Sequence, residues 1–308
     1  MRDQIISKYF NKDLVYIISK YDYFIEGIVD KVLRGHTDWV TCVSVLPNGQ
    51  IVSGSWDKTC IIWKPNGEEI DKVLRGHTKY ISCIKITPNG RIVTGSWDKT
   101  CIIWNPNGGE IDTIYRGHTG WITCVDILPN GQIVSGSCDD TCIIWKPNGG
   151  EIDKVLEGHT DTVACVNVLS NGQIVSGSYD ETLIIWKLSG EIDKILKCHF
   201  GSINCVNVLH NGQIISGSYD KTCIIWGFNG EIDIVCKGHT SYITCINILP
   251  NGQIISGSAD DTCIIWKPDG GKIDKVCKGH TDTVTCVSVL PNGQIVSGSN
   301  DKTLMIWK

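Results

Sequence analysis

Short apolar stretches separated by turn residues alternate along nearly the whole chain. In the first full copy of this pattern they cover residues 40–46, 50–55, 59–64 and 70–74. Pro-Asn-Gly tripeptides follow two of these stretches, where Pro fixes φ and Asn or Gly accepts a positive φ. Runs of β-branched residues bounded in this way predict strands in an antiparallel meander.

The pattern recurs seven times, with a spacing of 40 or 41 residues that one histidine per copy marks. These histidines are His36, His77, His118, His159, His199, His239 and His280. Units of this size cannot bury a core alone and must stack on their neighbours. The third stretch, commonly Cys-Ile-Ile-Trp, lacks polar alternation, so both of its faces must be covered. Radial stacking of four-stranded antiparallel blades provides that cover, and the pattern predicts an all-β, seven-bladed β-propeller over residues 27–308.

Three short motifs in each unit resemble those of a known repeat family. Gly35-His36, Ser53-Gly54-Ser55-x-Asp57 and Ile62-Trp63 are similar to the signature of WD40 (WD-repeat) proteins, whose Gly-His and Trp-Asp dipeptides bracket a unit of this length. The resemblance covers residues 27–308. Two details depart from it: Lys, Asn or Gly follows each terminal Trp, and Cys198 precedes His199 where the other units have Gly.

The seventh unit ends at Trp307-Lys308, after its third strand. Residues 28–34 match the fourth strand of a later unit, residues 69–75. We therefore expect residues 28–34 to complete the seventh blade and close the ring, as the resemblance to WD40 propellers also implies.

Charge and apolar run length exclude several classes of partner. The net charge is −5, and no run of Lys or Arg offers the basic footprint that nucleic-acid binding requires. The longest apolar runs have four or five residues, too few to span a bilayer, and the first residues lack a signal-peptide pattern. We expect a monomer in the cytoplasm or nucleus that binds neither nucleic acid nor membrane.

Sixteen cysteines are distributed by repeat position. Seven of them lie in first strands, one in each unit. Five more share a third-strand position, which holds Leu183 and Leu304 in the other two units. A position that accepts Cys or Leu requires a modest apolar side chain, so we expect reduced packing thiols. No Cys-x-x-Cys pair occurs, and neither a metal site nor a cofactor is expected.

Each unit also holds a Ser or Thr, a His and an Asp, which superficially resemble a catalytic triad. In the first unit they are Ser53, His36 and Asp57, accompanied by Trp63. Catalysis needs one asymmetric site with a substrate pocket, whereas seven equivalent copies indicate architecture. The family resemblance implies that the indole N–H donates to the hydroxyl, the hydroxyl to the imidazole, and the imidazole to the carboxylate. We therefore expect no enzymatic activity.

Function is expected where the units differ. Seven of the eleven tryptophans end third strands, which leaves Trp39, Trp56, Trp97 and Trp121. Because strands alternate in direction, all four fall on one rim of the ring, and large aromatics are enriched at binding hot spots. The predicted partner-binding residues on this rim are Trp39, Trp56, Tyr80, Trp97, Trp121, Tyr179, Tyr219 and Tyr242. In the alternative interpretation, these rings pack on adjacent blade loops.

The charges on the same rim are mixed. Its acidic residues favour an arginine or lysine ligand through cation–π contact, whereas its lysines oppose one. The acidic residues are Asp38, Asp140, Asp161, Glu181, Asp261 and Asp282; the lysines are Lys58, Lys79, Lys99, Lys221 and Lys302.

Residues 1–26 lie outside the repeats. Two short helices are expected, over residues 4–10 and 12–21, with Asn11 as a cap between them. Residues 10–18 resemble the opening helix of an F-box, the motif that docks substrate receptors to ubiquitin ligases. The open alternatives are a structural cap on the ring, a degenerate F-box-like docking element and an amphipathic surface helix.

Three functions remain as hypotheses. The first is a noncatalytic scaffold or adaptor that binds a peptide segment of another protein on the aromatic rim. The second is a ubiquitin-ligase substrate receptor that uses the F-box-like helix. The third is multivalent sugar binding by tryptophan stacking, which requires several equivalent weak sites.

Overall fold

The structure, a computed structural model, describes residues 25–65, 69–107, 109–147, 149–197, 199–268 and 271–308. Every regular element in these ranges is a β-strand. None of the described segments forms a helix that is long and apolar enough to cross a lipid bilayer.

The strands form seven antiparallel sheets arranged in sequence order. Blade one contains β3 Val40–Val45, β4 Ile51–Ser55, β5 Thr59–Trp63 and β6 Ile70–Arg75. Blade two contains β7 Ile81–Ile86, β8 Ile92–Ser96, β9 Thr100–Trp104 and β10 Ile111–Arg116. Blade three contains β11 Ile122–Ile127, β12 Ile133–Ser137, β13 Cys142–Trp145 and β14 Ile152–Leu156. Blade four contains β15 Val163–Val168, β16 Ile174–Ser178, β17 Thr182–Trp186 and β18 Ile192–Lys197.

The remaining three blades follow the same order. Blade five contains β19 Ile203–Val208, β20 Ile214–Ser218, β21 Thr222–Trp226 and β22 Ile232–Lys237. Blade six contains β23 Ile243–Ile248, β24 Ile254–Ser258, β25 Thr262–Trp266 and β26 Ile273–Lys278, and it also receives β1 Ile25–Gly27. Blade seven contains β27 Val284–Val289, β28 Ile295–Ser299, β29 Thr303–Trp307 and β2 Val29–Arg34. The predicted seven-bladed, all-β propeller is confirmed.

The seventh blade takes its outer strand from the start of the repeats. β2 pairs antiparallel with β29, so that Leu33 lies opposite Leu304. The Lys308 amide donates to the carbonyl of Ile28 at 2.9 Å, and its ammonium lies 2.7 Å from an Asp30 carboxylate oxygen. The predicted closure is therefore confirmed.

A fifth strand on blade six was not predicted. β1 pairs parallel with β26, and Gly27 lies opposite Cys277. A Cβ at Gly27 would stand 2.4 Å from the Cys277 sulfur, so only glycine allows this approach. β1 and β2 together join the outer edges of blades six and seven.

The apolar core lies between blades. One cluster combines Cys42 and Leu46 of blade one with Ile81 and Trp104 of blade two, and the other boundaries repeat this arrangement. The first-strand cysteine packs on the second-strand glycine; a Cβ at Gly54 would stand 2.6 Å from the Cys42 sulfur. The described cysteines form no disulfide and are mostly buried, which agrees with the predicted packing role of these positions.

A belt of hydrogen bonds also joins the first strands of adjacent blades. In six blades, the second residue of the first strand donates to the carbonyl of the first residue of the next blade's first strand. The donors are Thr41, Ser82, Thr123, Asn204, Thr244 and Thr285. Blade four has Ala164 at this position, which has no side-chain donor. The boundary between blades four and five therefore lacks this bond.

Candidate functional site

The Ser or Thr, His and Asp of each unit form a buried structural network. His36 Nδ1 lies 2.8 Å from Asp57, His36 Nε2 lies 2.8 Å from the Ser53 hydroxyl, and the Trp63 indole N–H donates to the same hydroxyl at 2.8 Å. The Thr59 hydroxyl donates to the second Asp57 oxygen. The order of groups agrees with the expectation from the family resemblance.

The other six units repeat the network with nearly the same distances. Their residues are His77, Thr94, Asp98 and Trp104; His118, Ser135, Asp139 and Trp145; His159, Ser176, Asp180 and Trp186; His199, Ser216, Asp220 and Trp226; His239, Ser256, Asp260 and Trp266; His280, Ser297, Asp301 and Trp307. Every hydroxyl-bearing member is completely buried. None of these hydroxyls is positioned to meet a substrate.

The network sets the ionisation of its carboxylates. Burial alone would raise the pKa of Asp301, but hydrogen bonds from His280 and Thr303 outweigh that effect and lower the pKa to about 2. The same opposing effects hold the pKa of Asp57 well below its usual range. Burial lowers the pKa of His159 despite its bond to Asp180. The carboxylates are thus charged acceptors at neutral pH.

Five of the predicted rim residues form one continuous stack, which we name the aromatic ladder: Trp39, Trp56, Tyr80, Trp97 and Trp121. Trp56 stacks on Tyr80 with centroids 4.4 Å apart and planes 3° apart, and Trp97 stacks on Trp121 at 4.2 Å and 4°. Trp39 lies 4.2 Å from Trp56, and Trp97 contacts both Trp56 and Tyr80 at 5.3 to 5.5 Å. The ladder spans blades one to three.

The two stacked pairs of the ladder follow one rule. The residue before the turn aspartate of one blade stacks on the residue before the first strand of the next blade, as Trp56 does on Tyr80. The three inner rings are half-buried by their neighbours, whereas the end rings Trp39 and Trp121 are 36% and 45% exposed. The ladder therefore offers its outer edges and its two ends to solvent.

The other predicted rim residues lie apart from the ladder. Tyr219 and Tyr242 obey the same rule and stack at 4.7 Å across blades five and six. Tyr179 is 46% exposed, and within the described ranges no ring stacks on it. The structure thus divides the eight predicted residues into a five-ring ladder, one tyrosine pair and one separate tyrosine.

A left-handed residue in each second-to-third-strand turn places a charge at the blade boundary. These residues are Lys58, Lys99, Asp140, Glu181, Lys221, Asp261 and Lys302, all with φ between 66° and 72°. The Lys99 ammonium donates to the Thr119 carbonyl of the next blade, which shows how far such a side chain reaches. The sequence did not indicate these conformations, because Gly and Asn are the residues typical of them.

At two boundaries between blades, two carboxylates lie close enough to repel each other. Burial and the neighbouring carboxylate of Asp161 raise the pKa of Asp140 at the boundary between blades three and four. Burial and Asp282 have the same effect on the pKa of Asp261 between blades six and seven. These two acidic pairs occupy equivalent repeat positions, but only the first adjoins the ladder.

A cavity of about 740 Å³ occupies the central channel. Its wall includes one polar residue from each blade: Ser44, Lys85, Asp126, Asn167, Asn207, Asn247 and Ser288. Lys85 and Asp126 form an ion pair at 3.0 Å on the strands that follow Tyr80 and Trp121. This set was not predicted, although its members occupy one first-strand position at which the units differ.

Two further expectations concern metals and the first residues. Within the described ranges, no three His, Cys, Asp or Glu side chains are placed to hold a metal ion. The predicted helices over residues 4–10 and 12–21, and with them the F-box-like residues 10–18, lie outside the described residues.

Comparison with protein families gives one result. The family model WD40, described as WD domain, G-beta repeat, matches seven consecutive segments: 27–64, 68–105, 109–146, 150–187, 190–227, 230–267 and 271–308. A comparison with curated proteins found no match.

Proposed function

Because the chain belongs to the WD40-repeat family, whose propellers are generally noncatalytic scaffolds that bind other proteins, we propose that it is an adaptor that holds a partner's peptide segment on the aromatic ladder. The partner would lie across blades one to three, on the rim that carries Trp39 and Trp121.

The observation that carries this proposal is the uneven distribution of aromatics around a nearly uniform ring. Five of the eight predicted rim residues join in one contiguous cluster. Stacked rings hold one another in place, so little side-chain entropy is lost when a partner binds. A large, rigid aromatic surface of this kind is typical of binding hot spots.

The buried networks support a noncatalytic role. Each Ser or Thr hydroxyl is completely buried between an indole and an imidazole, and seven equivalent copies leave no single asymmetric site. Their hydrogen bonds account for the presence of these residues without any reaction.

The test is affinity purification of partners with the full chain and with a Trp39→Ala/Trp121→Ala variant. Both side chains are partly exposed ends of the ladder, so the ring should keep its melting temperature within a few degrees. The matched control is Phe228→Ala, which removes a 72% exposed aromatic from the opposite rim. We expect the ladder variant alone to lose partners that the full chain retains.

Identical partner sets for the full chain and the ladder variant would refute the proposal. Calorimetry on a recovered partner segment separates the adaptor from multivalent sugar binding, because a peptide held on the ladder gives one dominant site.

A further inference from the structure

The ladder ends at Trp121 in blade three, although the loops of that blade keep the backbone hydrogen bond found in blades one and two. In blades one to three the residue before the turn aspartate donates its amide to the carbonyl of the residue before the first strand. These bonds are Trp56 to Trp39 and Trp97 to Tyr80, both at 3.0 Å, and Cys138 to Trp121 at 2.9 Å. Cys138 therefore occupies the position that holds an indole in blades one and two.

This replacement leaves one face of Trp121 without a stacked ring among the described residues, and we call it the open face. Trp97 covers one face at 4.2 Å, and no other described ring stacks on Trp121, which is 45% exposed. The loop that carries Trp121 lies tightly on the 138–140 turn: a Cβ at Gly120 would stand 2.5 Å from the Asp139 amide nitrogen. The open face is thus held next to that turn.

Two carboxylates lie at the turn that borders this open face. Asp140 belongs to the 138–140 turn, with a φ of 67°, and burial and the carboxylate of Asp161 in the next blade raise the pKa of Asp140. Within the described ranges, neither carboxylate forms an ion pair with a lysine or arginine side chain. The Asp161 carboxylate accepts the amide of Thr162 at 2.6 Å, and its backbone carbonyl accepts the Ser178 hydroxyl at 2.8 Å. A cationic group placed here would relieve the repulsion between the two carboxylates.

We propose that an arginine side chain of the partner segment stacks on the open face of Trp121, above Cys138, with its guanidinium hydrogen-bonded to Asp140 and Asp161. The inference rests on the proposed function, and it names the chemistry of the segment that the ladder holds. The guanidinium takes the place of the absent sixth ring.

Arginine meets each condition of the site. Its planar group stacks on aromatic faces, and its donors match two carboxylates. A lysine ammonium is a point charge that cannot extend a stack of flat groups. A neutral planar group would stack on the indole but would leave the two carboxylates in mutual repulsion.

The experiment follows indole N–H signals of the full chain by ¹H–¹⁵N NMR, with Trp121 assigned by a Trp121→Phe variant. The probes are N-acetyl-arginine amide, N-acetyl-lysine amide and N-acetyl-citrulline amide, the last of which is the uncharged analogue of arginine. We expect a saturable shift of the Trp121 signal with arginine, and an affinity at least about tenfold weaker with citrulline.

Two pairs of variants in the same chain provide matched controls. Cys138→Trp fills the site with an internal ring and should abolish the arginine shift, whereas Ala259→Trp makes the same change at the equivalent position in blade six. Asp140→Asn/Asp161→Asn should weaken arginine binding about tenfold or more. Asp261→Asn/Asp282→Asn, at the equivalent boundary, should leave it unchanged.

Equal shifts with arginine and citrulline, or an unaltered arginine shift in Cys138→Trp, would overturn the inference. Its failure is distinguishable from failure of the adaptor proposal. If Trp39→Ala/Trp121→Ala loses partners but Cys138→Trp retains them all, the ladder binds partners without this arginine site. If the ladder variant loses none, the adaptor proposal itself fails.

Discussion

Ser176→Ala tests whether the buried networks hold the ring together. The Ser176 hydroxyl in blade four is completely buried; it receives the Trp186 indole N–H at 2.7 Å and lies 2.7 Å from His159 Nε2. Alanine would leave both nitrogens buried without this partner. A buried polar group left unpaired costs about 1–3 kcal/mol. For the two nitrogens together, the loss in free energy of unfolding should therefore be about 2–6 kcal/mol.

The natural variation between blades supplies the control. Blade two uses Thr94 in the same role, with bonds of 2.7 and 2.8 Å. Ser176→Thr should therefore lose far less stability than Ser176→Ala. Differential scanning calorimetry and urea unfolding measure both, and for a chain of this size each kcal/mol lost should lower Tm by about 2 °C. If the alanine and threonine variants were equally stable, the hydroxyl would not be holding the network.

Four further predictions concern stability, and unfolding measurements test each of them. Gly54→Ala should lower the free energy of unfolding by about 1–3 kcal/mol, because it forces a Cβ against the Cys42 sulfur. Adding Cys42→Ala should recover part of that loss, and additive losses in the double variant would contradict the contact. Ala164→Thr should raise the free energy of unfolding by about 0.5–1.5 kcal/mol, because it completes the hydrogen-bond belt. An unchanged free energy of unfolding would show that the belt is not stabilising. Lys221→Gly should raise the free energy of unfolding by up to about 1 kcal/mol, because glycine adopts the φ of 72° at this position without strain. A lower free energy of unfolding would refute the argument from backbone strain. The lowered pKa of Asp301 contributes stability that is present above its unfolded value of about 3.9 and is lost as pH falls towards about 2, so Asp301→Asn should flatten that part of the pH profile.

Much of the fold could be predicted because the repeats share it. The first blade's strands begin and end within one residue of the predicted stretches, since apolar runs and turn residues mark burial directly. Ring closure could be predicted because residues 28–34 match a complete strand. β1 could not: three residues carry no periodic signal, and their place depends on the glycine that fits over Cys277.

The candidate site could be predicted in composition but not in arrangement. The sequence placed the spare aromatics on one rim, but it left open whether they face solvent or pack on neighbouring loops. Stacking depends on residue pairs across blade boundaries, such as Trp56 with Tyr80, and the open face of Trp121 depends on the small size of Cys138. The channel residues Lys85 and Asp126 were missed because their strand pattern was assigned wholly to packing.

The pairing of β2 with β29 also affects folding during synthesis, because the two strands leave the ribosome at different times. Residue 303 comes 269 positions after residue 34, so at about 5–20 residues per second the ribosome needs roughly a quarter of a minute to a minute between them. Throughout that interval β2 has no native partner, while β5 is already available. β2 reads VDKVLR and β6, the native partner of β5, reads IDKVLR. The nascent chain therefore carries two nearly interchangeable strands for one edge, and the ring closes only if β6, and not β2, occupies the edge of β5.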